Sequence, residues 1–218
     1  MRRADRGGSA PRARSRDFSS DLHQGAEPQE YREYSEVRQR RAGGKDPAST
    51  RSDFRHGLLG LWLERATAED LPALAALEAE CHTHPWNQSQ FQEEASLGPP
   101  NALLVLRAAA SSPERWRGIR AYTAYRVVVD EMQILNLAVA PGWRRRGLAR
   151  WLLGFAVPQA ARGGARRVFL EVRQGNGDAL SLYEALGFQR VGVRSDYYSN
   201  PREAAVLLAL EKVPHWFP

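Results

Sequence analysis

A cluster of arginines followed by glycine has the composition of an anion-binding loop. Residues 144–149 read Arg-Arg-Arg-Gly-Leu-Ala and fit the pattern Gln/Arg-x-x-Gly-x-Gly/Ala between a predicted strand and a predicted helix. Gly147 allows the backbone to approach an anion closely, and the N–H groups and dipole of the helix start favour negative charge there. The guanidinium groups of Arg144, Arg145 and Arg146 add charge and donors for phosphate oxygens. The segment therefore predicts a phosphate-binding loop.

A second segment fits the same pattern. Residues 174–179 read Gln-Gly-Asn-Gly-Asp-Ala and also lie between a predicted strand and a predicted helix, so spacing alone does not separate the two segments. Composition separates them, because the second segment has no basic residue and precedes a shorter apolar helix. We therefore assign the anion to residues 144–149.

A carboxylate and a phenol are candidates for proton transfer. Glu171 lies in the predicted strand Arg167–Arg173, where apolar and other side chains alternate, so Glu171 and Arg173 share a face. From the residues alone, Glu171 is either a member of a structural ion pair or a general base. Tyr183, in the next predicted helix, is either a core tyrosine with a satisfied hydroxyl or a proton donor.

The hydrophobic pattern predicts the elements that must position these residues. The predicted order β-α-α-β-β-β-α-β-α-β-β describes an α/β fold with one mixed, mostly antiparallel sheet flanked by helices. The strands are predicted at Leu58–Arg65, Ala102–Ala109, Ile119–Val129, Met132–Val139, Arg167–Arg173, Phe188–Val193 and Ala204–Lys212, and the helices after Thr67, from Asn87 to Ser96, from Gly147 to Ala161 and from Asp178 to Leu186.

Residues 1–57 differ in composition from the rest of the chain. They lack apolar periodicity, which predicts a disordered basic extension before one folded domain at residues 58–218. The extension holds 13 basic and 9 acidic residues, net +4, against 18 and 16 in the rest, net +2. It is interpreted as a solvated tail, an arm that contacts nucleic acid or the ribosome, or a mitochondrial transit peptide, although Asp5, Asp17 and Asp21 argue against the last.

Cysteine content and hydropathy exclude several classes of protein. The single cysteine, Cys81, excludes an internal disulfide framework and a multi-thiolate site, and no Asp, Glu or His cluster has metal-ligand spacing, so we predict no metal. No apolar run approaches the roughly 20 residues that span a bilayer, and no apolar signal segment is present near the N-terminus. We therefore expect a cytoplasmic protein that does not bind membranes.

Several segments together resemble a known superfamily. The chain resembles the GCN5-related N-acetyltransferases (GNAT), which transfer acetyl from acetyl-CoA to an amine, over about Leu61–Glu211. Within them it is most similar to the ribosomal-protein-alanine N-acetyltransferases, the RimI type. The superfamily resemblance rests on Ile134–Val139, Arg144–Ala149, Leu170–Arg173, Asn176 and Leu182–Phe188, and the closer one on His84-Pro85-Trp86, Asp130-Glu131, Leu170–Arg173 and Arg194–Tyr198.

The resemblance implies a GNAT domain with a defined cofactor site. In that fold the strand that contains Leu137 splays from its neighbour, its backbone binds the pantetheine arm, and the next loop binds the pyrophosphate. Asn176 matches a cofactor-binding position and is also an ordinary N-cap. The implied cofactor contacts are Leu137, Ala138, Val139, Arg144, Arg145, Arg146, Gly147, Leu148, Ala149 and Asn176.

The resemblance also implies the reaction and its acceptor. Glu171 matches the general base that deprotonates the attacking amine, and Tyr183 matches the general acid that protonates the departing thiolate. Trp86, Tyr197 and Tyr198 are candidate walls of a groove for a protein N-terminus, such as that of a small-subunit ribosomal protein. Trp86 is equally well interpreted as a core anchor of the loop between the two helices. The alternatives are an acetyltransferase for lysine or a small-molecule amine, and an RNA- or ribosome-binding protein that uses the fold as a scaffold.

The chain departs from the family pattern at one acceptor-side position. The family often has Glu-Asp before the apolar run of the last strand, whereas this chain has Glu203-Ala204. The details of peptide binding at this position therefore do not carry over from the family.

Overall fold

The computed structural model describes residues 55–56, 60–108 and 118–213. It confirms the predicted order of elements and adds a two-residue strand before the first predicted one. Residues 1–54 and 57 of the predicted extension and residues 111–117 of a predicted turn lie outside the described residues. The strands are β1 (Arg55–His56), β2 (Leu61–Arg65), β3 (Ala102–Ala108), β4 (Ile119–Val128), β5 (Glu131–Val139), β6 (Arg167–Arg173), β7 (Gln189–Ser199) and β8 (Arg202–Leu210), and the helices are α1 (Leu71–Cys81), α2 (Gln88–Ser96), α3 (Leu148–Arg162) and α4 (Gly177–Ala185).

The strands form one mixed sheet, as predicted. Their order is β1-β2-β3-β4-β5-β6-β8-β7, and every neighbouring pair is antiparallel except β5 with β6. None of the described helices is long and apolar enough to cross a membrane. Within the described ranges, no three His, Cys, Asp or Glu side chains form a group that could hold a metal ion.

Each face of the sheet has its own apolar core, because side chains alternate along the strands. Helices α3 and α4 cover one face, with Leu152 and Leu170 among its buried residues. Helices α1 and α2 cover the other, where Leu74 and Phe91 are buried. We call these the α3/α4 face and the α1/α2 face.

The predicted N-cap of α2 is confirmed. The side-chain oxygen of Asn87 accepts a hydrogen bond from the Gln90 N–H (3.0 Å), and the Gln90 side chain accepts one from the Asn87 N–H (3.0 Å). This reciprocal capping box fixes the start of α2, and with it one end of the loop of residues 82–87 that follows α1.

Strands β5 and β6 pair over only four residues and then separate. The last pair joins Ile134 to Leu170. Directly after it, the register of β5 with β4 skips one residue, Leu135, which forms a bulge. The extra residue reverses the alternation of side chains. Asn136 therefore lies on the α1/α2 face, whereas Leu137 packs against the core of the α3/α4 face.

Strand β7 is longer than predicted. The prediction ended it at Val193, but it continues to Ser199 because a bulge carries the strand past a polar stretch. Its register with β8 skips Val191 and shifts again between Arg194 and Tyr198, and Asp196 inside this second bulge has a φ of +55°. The polar residues of the bulge hide the strand from a prediction based on apolar alternation.

Candidate active site

The separation of β5 from β6 opens a fork in the sheet. Glu171 is the first residue of β6 beyond the last pair, which joins Ile134 to Leu170. Its side chain lies on the α1/α2 face, because Leu170 and Val172 on either side belong to the opposite core. The side chain is 23% exposed. A carboxylate at this place can accept a proton from a reactant in the fork.

The edge of β5 directs backbone groups toward the fork. The Ala140 N–H donates to the Arg120 carbonyl (2.8 Å). In the alternating antiparallel ladder, Ala138 therefore also bonds to β4, while Leu137 and Val139 direct their N–H and C=O groups away from it. Of the three β5 residues assigned to the cofactor, Leu137 and Val139 have their backbone groups on the fork side, and those of Ala138 point to β4.

The loop after β5 has the features of an anion site. Gly147 is the N-cap of α3 and has a φ of +78°, a conformation that favours glycine. The Arg144 Nε donates to the Val139 carbonyl (3.1 Å), which orients this side chain. The Arg146 guanidinium lies 4.8 Å from the ring centroid of Trp143. The loop thus combines exposed guanidinium groups with a helix N-terminus.

The second glycine-containing segment already holds a carboxylate. The Gly175 N–H donates to Oε1 of Glu203, which lowers the pKa of that carboxyl. The Asn176 side chain caps α4 by accepting from the Ala179 N–H (3.2 Å). Because a protein carboxylate bonds to this backbone, the geometry favours residues 144–149 for an anionic ligand.

Glu171 is flanked by charged and aromatic side chains. It forms an ion pair with Arg194 of β7 (3.4 Å), and the Arg194 guanidinium lies 5.5 Å from the ring centroid of Tyr197. The Arg173 guanidinium lies 3.9 Å from the ring centroid of Tyr198. Burial, followed by the nearby charge of Glu171, raises the pKa of Tyr198 to about 12. Tyr198 therefore presents an uncharged phenol beside the Glu171 carboxylate.

Sequence reasoning did not find Arg194 as the partner of Glu171. The motif of residues 194–198 includes Arg194, but its place depends on the register of β7 with β8, which skips Val191 and sets Arg194 opposite Ala205, the β8 partner of Arg173. Arg173, which shares a face with Glu171, pairs instead with Glu203 (3.1 Å). The ion-pair interpretation of Glu171 is thus compatible with a position at the fork.

The loop of residues 82–87 reaches the β7–β8 turn. Trp86 is half-buried, and its ring packs edge-to-face on Phe91 at 5.4 Å between centroids. The His84 ring donates from Nε2 to the Asn200 carbonyl in that turn. Trp86 is thus anchored in the core of the α1/α2 face, and its loop closes against the hairpin that carries the two tyrosines.

Tyr183 lies on the other side of the sheet from Glu171. It is buried in the core of the α3/α4 face, with its ring edge-to-face on Phe188 at 5.4 Å. Burial raises its pKa well above the usual value, so the hydroxyl holds its proton at neutral pH. A reactant that contacts both Glu171 and Tyr183 has to occupy the fork between the two faces.

Comparison with known proteins decides the family. A model of the acetyltransferase (GNAT) family matches residues 71–188, from the first residue of α1 to the residue before β7. The matched segment includes the fork and the arginine-rich loop. The chain belongs to the GNAT family. It is an N-acetyltransferase.

The chain aligns with relatives of this GNAT enzyme over nearly their whole length. The ribosomal protein bS18-alanine N-acetyltransferase of Escherichia coli (strain K12) is 33% identical over 143 residues, which cover 65% of this chain and 90% of that protein. A putative enzyme of the same name from Bacillus subtilis (strain 168) is 32% identical over 140 residues, which cover 64% and 88%. The crystal structure of the ribosomal-protein-S18-alanine N-acetyltransferase from Escherichia coli superposes with a TM-score of 0.61 at 30% identity and covers 72% of this chain and 97% of that one.

Proposed function

We propose that this GNAT enzyme acetylates the N-terminal α-amine of a protein, with the N-terminal alanine of a ribosomal protein as acceptor and acetyl-CoA as donor. The observation that carries the proposal is Glu171 at the fork, between the open edge of β5 and the aromatic residues of β7. The names of the relatives specify an alanine of ribosomal protein bS18, which supports this class of acceptor.

The GNAT family uses acetyl-CoA, and the described residues fit it. Leu137 offers its backbone N–H and C=O groups, and Val139 its N–H, to the amides of a pantetheine arm. The Val139 carbonyl accepts hydrogen bonds from Arg144 Nε and Cys81 Sγ instead. Arg144, Arg145 and Arg146, with the N–H groups of Leu148 and Ala149 after Gly147, suit a pyrophosphate. Acetyl-CoA supplies the thioester, and the protein supplies its orientation and the movement of protons.

In the proposed step the acceptor amine attacks the acetyl carbonyl carbon directly, in a ternary complex. Glu171 removes the proton that the amine must lose, the new C–N bond forms and the C–S bond breaks. Tyr183 gives its hydroxyl proton to the departing sulfur and recovers one from solvent. No acetylated side chain is needed, and Cys81, whose thiol pKa is raised by burial, serves as a packing residue.

The basicity of amines favours an α-amine over a lysine. An α-amino group has a pKa of about 7.8 and a lysine side chain one of about 10.4. Preparing a neutral lysine amine at pH 7 therefore costs about 3.5 kcal/mol more. A single carboxylate base such as Glu171 is better matched to the smaller cost.

A three-substrate assay tests the proposal. The protein is mixed with acetyl-CoA and a peptide that begins with alanine, the same peptide with a blocked N-terminus and an internal lysine, or spermidine, and products are read by mass. We expect acetyl transfer to the free α-amine. Transfer only to lysine or spermidine would establish the alternative acceptor class, and CoA binding without transfer to any amine would contradict an enzymatic function.

Replacing Trp143 is predicted to weaken the use of acetyl-CoA through Arg146. Without the ring beside it, the Arg146 guanidinium loses a cation–π contact of about 0.5–1 kcal/mol, so Trp143→Leu should raise the KM for acetyl-CoA about two- to fivefold. The KM for S-acetylpantetheine, which lacks the pyrophosphate, should not change. In an Arg146→Ala background the Trp143 substitution should add nothing, and an equal effect with S-acetylpantetheine would contradict the role of the pair.

A further inference from the structure

A buried carboxylate outside the proposed chemistry joins three parts of the acceptor side. Glu78 of α1 is only 1% exposed. Its Oε1 accepts hydrogen bonds from the Trp86 N–H (3.1 Å) and from Asn136 Nδ2 (2.9 Å). Its Oε2 accepts one from the Tyr122 hydroxyl and lies 3.5 Å from His82 Nε2. One side chain thus connects helix α1, the loop of residues 82–87 and strands β4 and β5.

Burying the Glu78 carboxylate costs free energy unless hydrogen-bond donors surround its oxygen atoms. An ionised carboxylate removed from water is tolerated only when donors replace the lost hydration. Burial, with the charge of Glu78 as the next cause, raises the pKa of Tyr122 well above its usual value, so the phenol stays protonated and donates. An apolar residue at position 78 would pack without this cost, so the bonds to Trp86 and Asn136 call for an explanation.

The two residues that donate to Oε1 of Glu78 lie at the fork and at the candidate wall of the acceptor groove. Asn136 directly follows the bulge at Leu135, where β5 leaves β6, and only the bulge turns it toward α1. Trp86 is a candidate wall of the acceptor groove in the loop that reaches the β7–β8 turn. Glu78 therefore fixes the distance between the fork and this wall.

We propose that Glu78 is a positioning residue for the acceptor. It holds the backbone of Trp86 against β5 at the fork, so that a protein N-terminus is placed beside Glu171. The inference rests on the proposed function, because it assumes a peptide acceptor. It deepens that proposal because it makes the placement of the acceptor depend on a residue that touches neither substrate nor cofactor.

Peptide kinetics of Glu78→Ala test the inference. We expect the KM for an alanine-initiated peptide to rise about 10- to 100-fold, since small displacements of a substrate site have effects of this size. The KM for acetyl-CoA should stay within twofold, and Glu78→Gln should recover most of the peptide affinity because its amide oxygen can accept from Trp86 and Asn136. In a Trp86→Ala background, Glu78→Ala should add little.

Two further variants separate positioning from stability. Asp70→Ala removes another buried carboxylate, at the opposite end of α1, where it pairs with Arg107 (2.6 Å), and should lower stability without changing the peptide KM. Asn136→Leu removes only the hydrogen bond between Glu78 and β5. It should raise the peptide KM, and it tests the inference even if Glu78→Ala does not fold. An unchanged peptide KM in Asn136→Leu, or in a folded Glu78→Ala, overturns the inference alone. Absence of peptide acetylation by the unsubstituted enzyme overturns the proposed function and this inference with it.

Discussion

Glu171→Gln is expected to remove nearly all acetyl transfer while acetyl-CoA binding is retained. Glutamine keeps the shape of the side chain and its place at the first position of β6 that is not paired with β5, but it cannot accept the proton of the attacking amine. General base catalysis contributes about 10²- to 10⁴-fold, so the turnover number should fall by a factor in this range. Steady-state rates with an alanine-initiated peptide, together with calorimetric titration of acetyl-CoA, measure the two effects separately.

Glu64→Gln provides a matched control for this substitution. Glu64 is also a strand glutamate paired with an arginine, Arg107, and its side chain is 26% exposed, close to the 23% of Glu171. It lies in β2, far along the sheet order from β6. Loss of an ion pair alone should therefore leave turnover unchanged in Glu64→Gln. If Glu171→Gln retained more than a tenth of the wild-type turnover, another group would have to remove the proton.

Much of the site could be predicted because its signals are local. The arginines and Gly147 lie within six residues, and the strand with Glu171 has plain alternation, so the sequence alone was enough to place both. The N-cap Asn87 depends only on its own helix. The assignment of the anion to residues 144–149 rather than 174–179 used charge, and the Glu203 carboxylate on Gly175 supports that choice.

Contacts between distant segments could not be predicted in the same way. The bulge at Leu135 decides that Asn136 meets Glu78, 58 residues away, but one extra residue leaves no mark in the apolar pattern. The register shift of β7 at Val191 likewise decides that Arg194 meets Glu171. The polar bulge after Arg194 is why the predicted strand ended six residues early, at Val193. The bulge at Leu135 lies where β5 leaves β6, at the point where the fork begins.

Tyr183→Phe is expected to be the second most damaging substitution. Burial raises the pKa of Tyr183, so the hydroxyl is protonated in the resting enzyme and can donate to a departing thiolate. Phenylalanine keeps the ring packed on Phe188 but leaves the sulfur without a donor in a buried setting. We expect turnover to fall about 10²-fold, with the KM for acetyl-CoA and the melting temperature nearly unchanged.

Tyr125→Phe tests whether this loss is specific. Tyr125 is also buried in the core of the α3/α4 face, its pKa is raised to about 12, mainly by burial, and its hydroxyl has no hydrogen-bond partner among the described residues. Removing that hydroxyl should leave turnover intact and not lower stability, because no bond is lost. A similar loss of turnover in both variants would trace the defect to packing of the core. Loss confined to Tyr183→Phe places the proton donor on α4, across the sheet from Glu171.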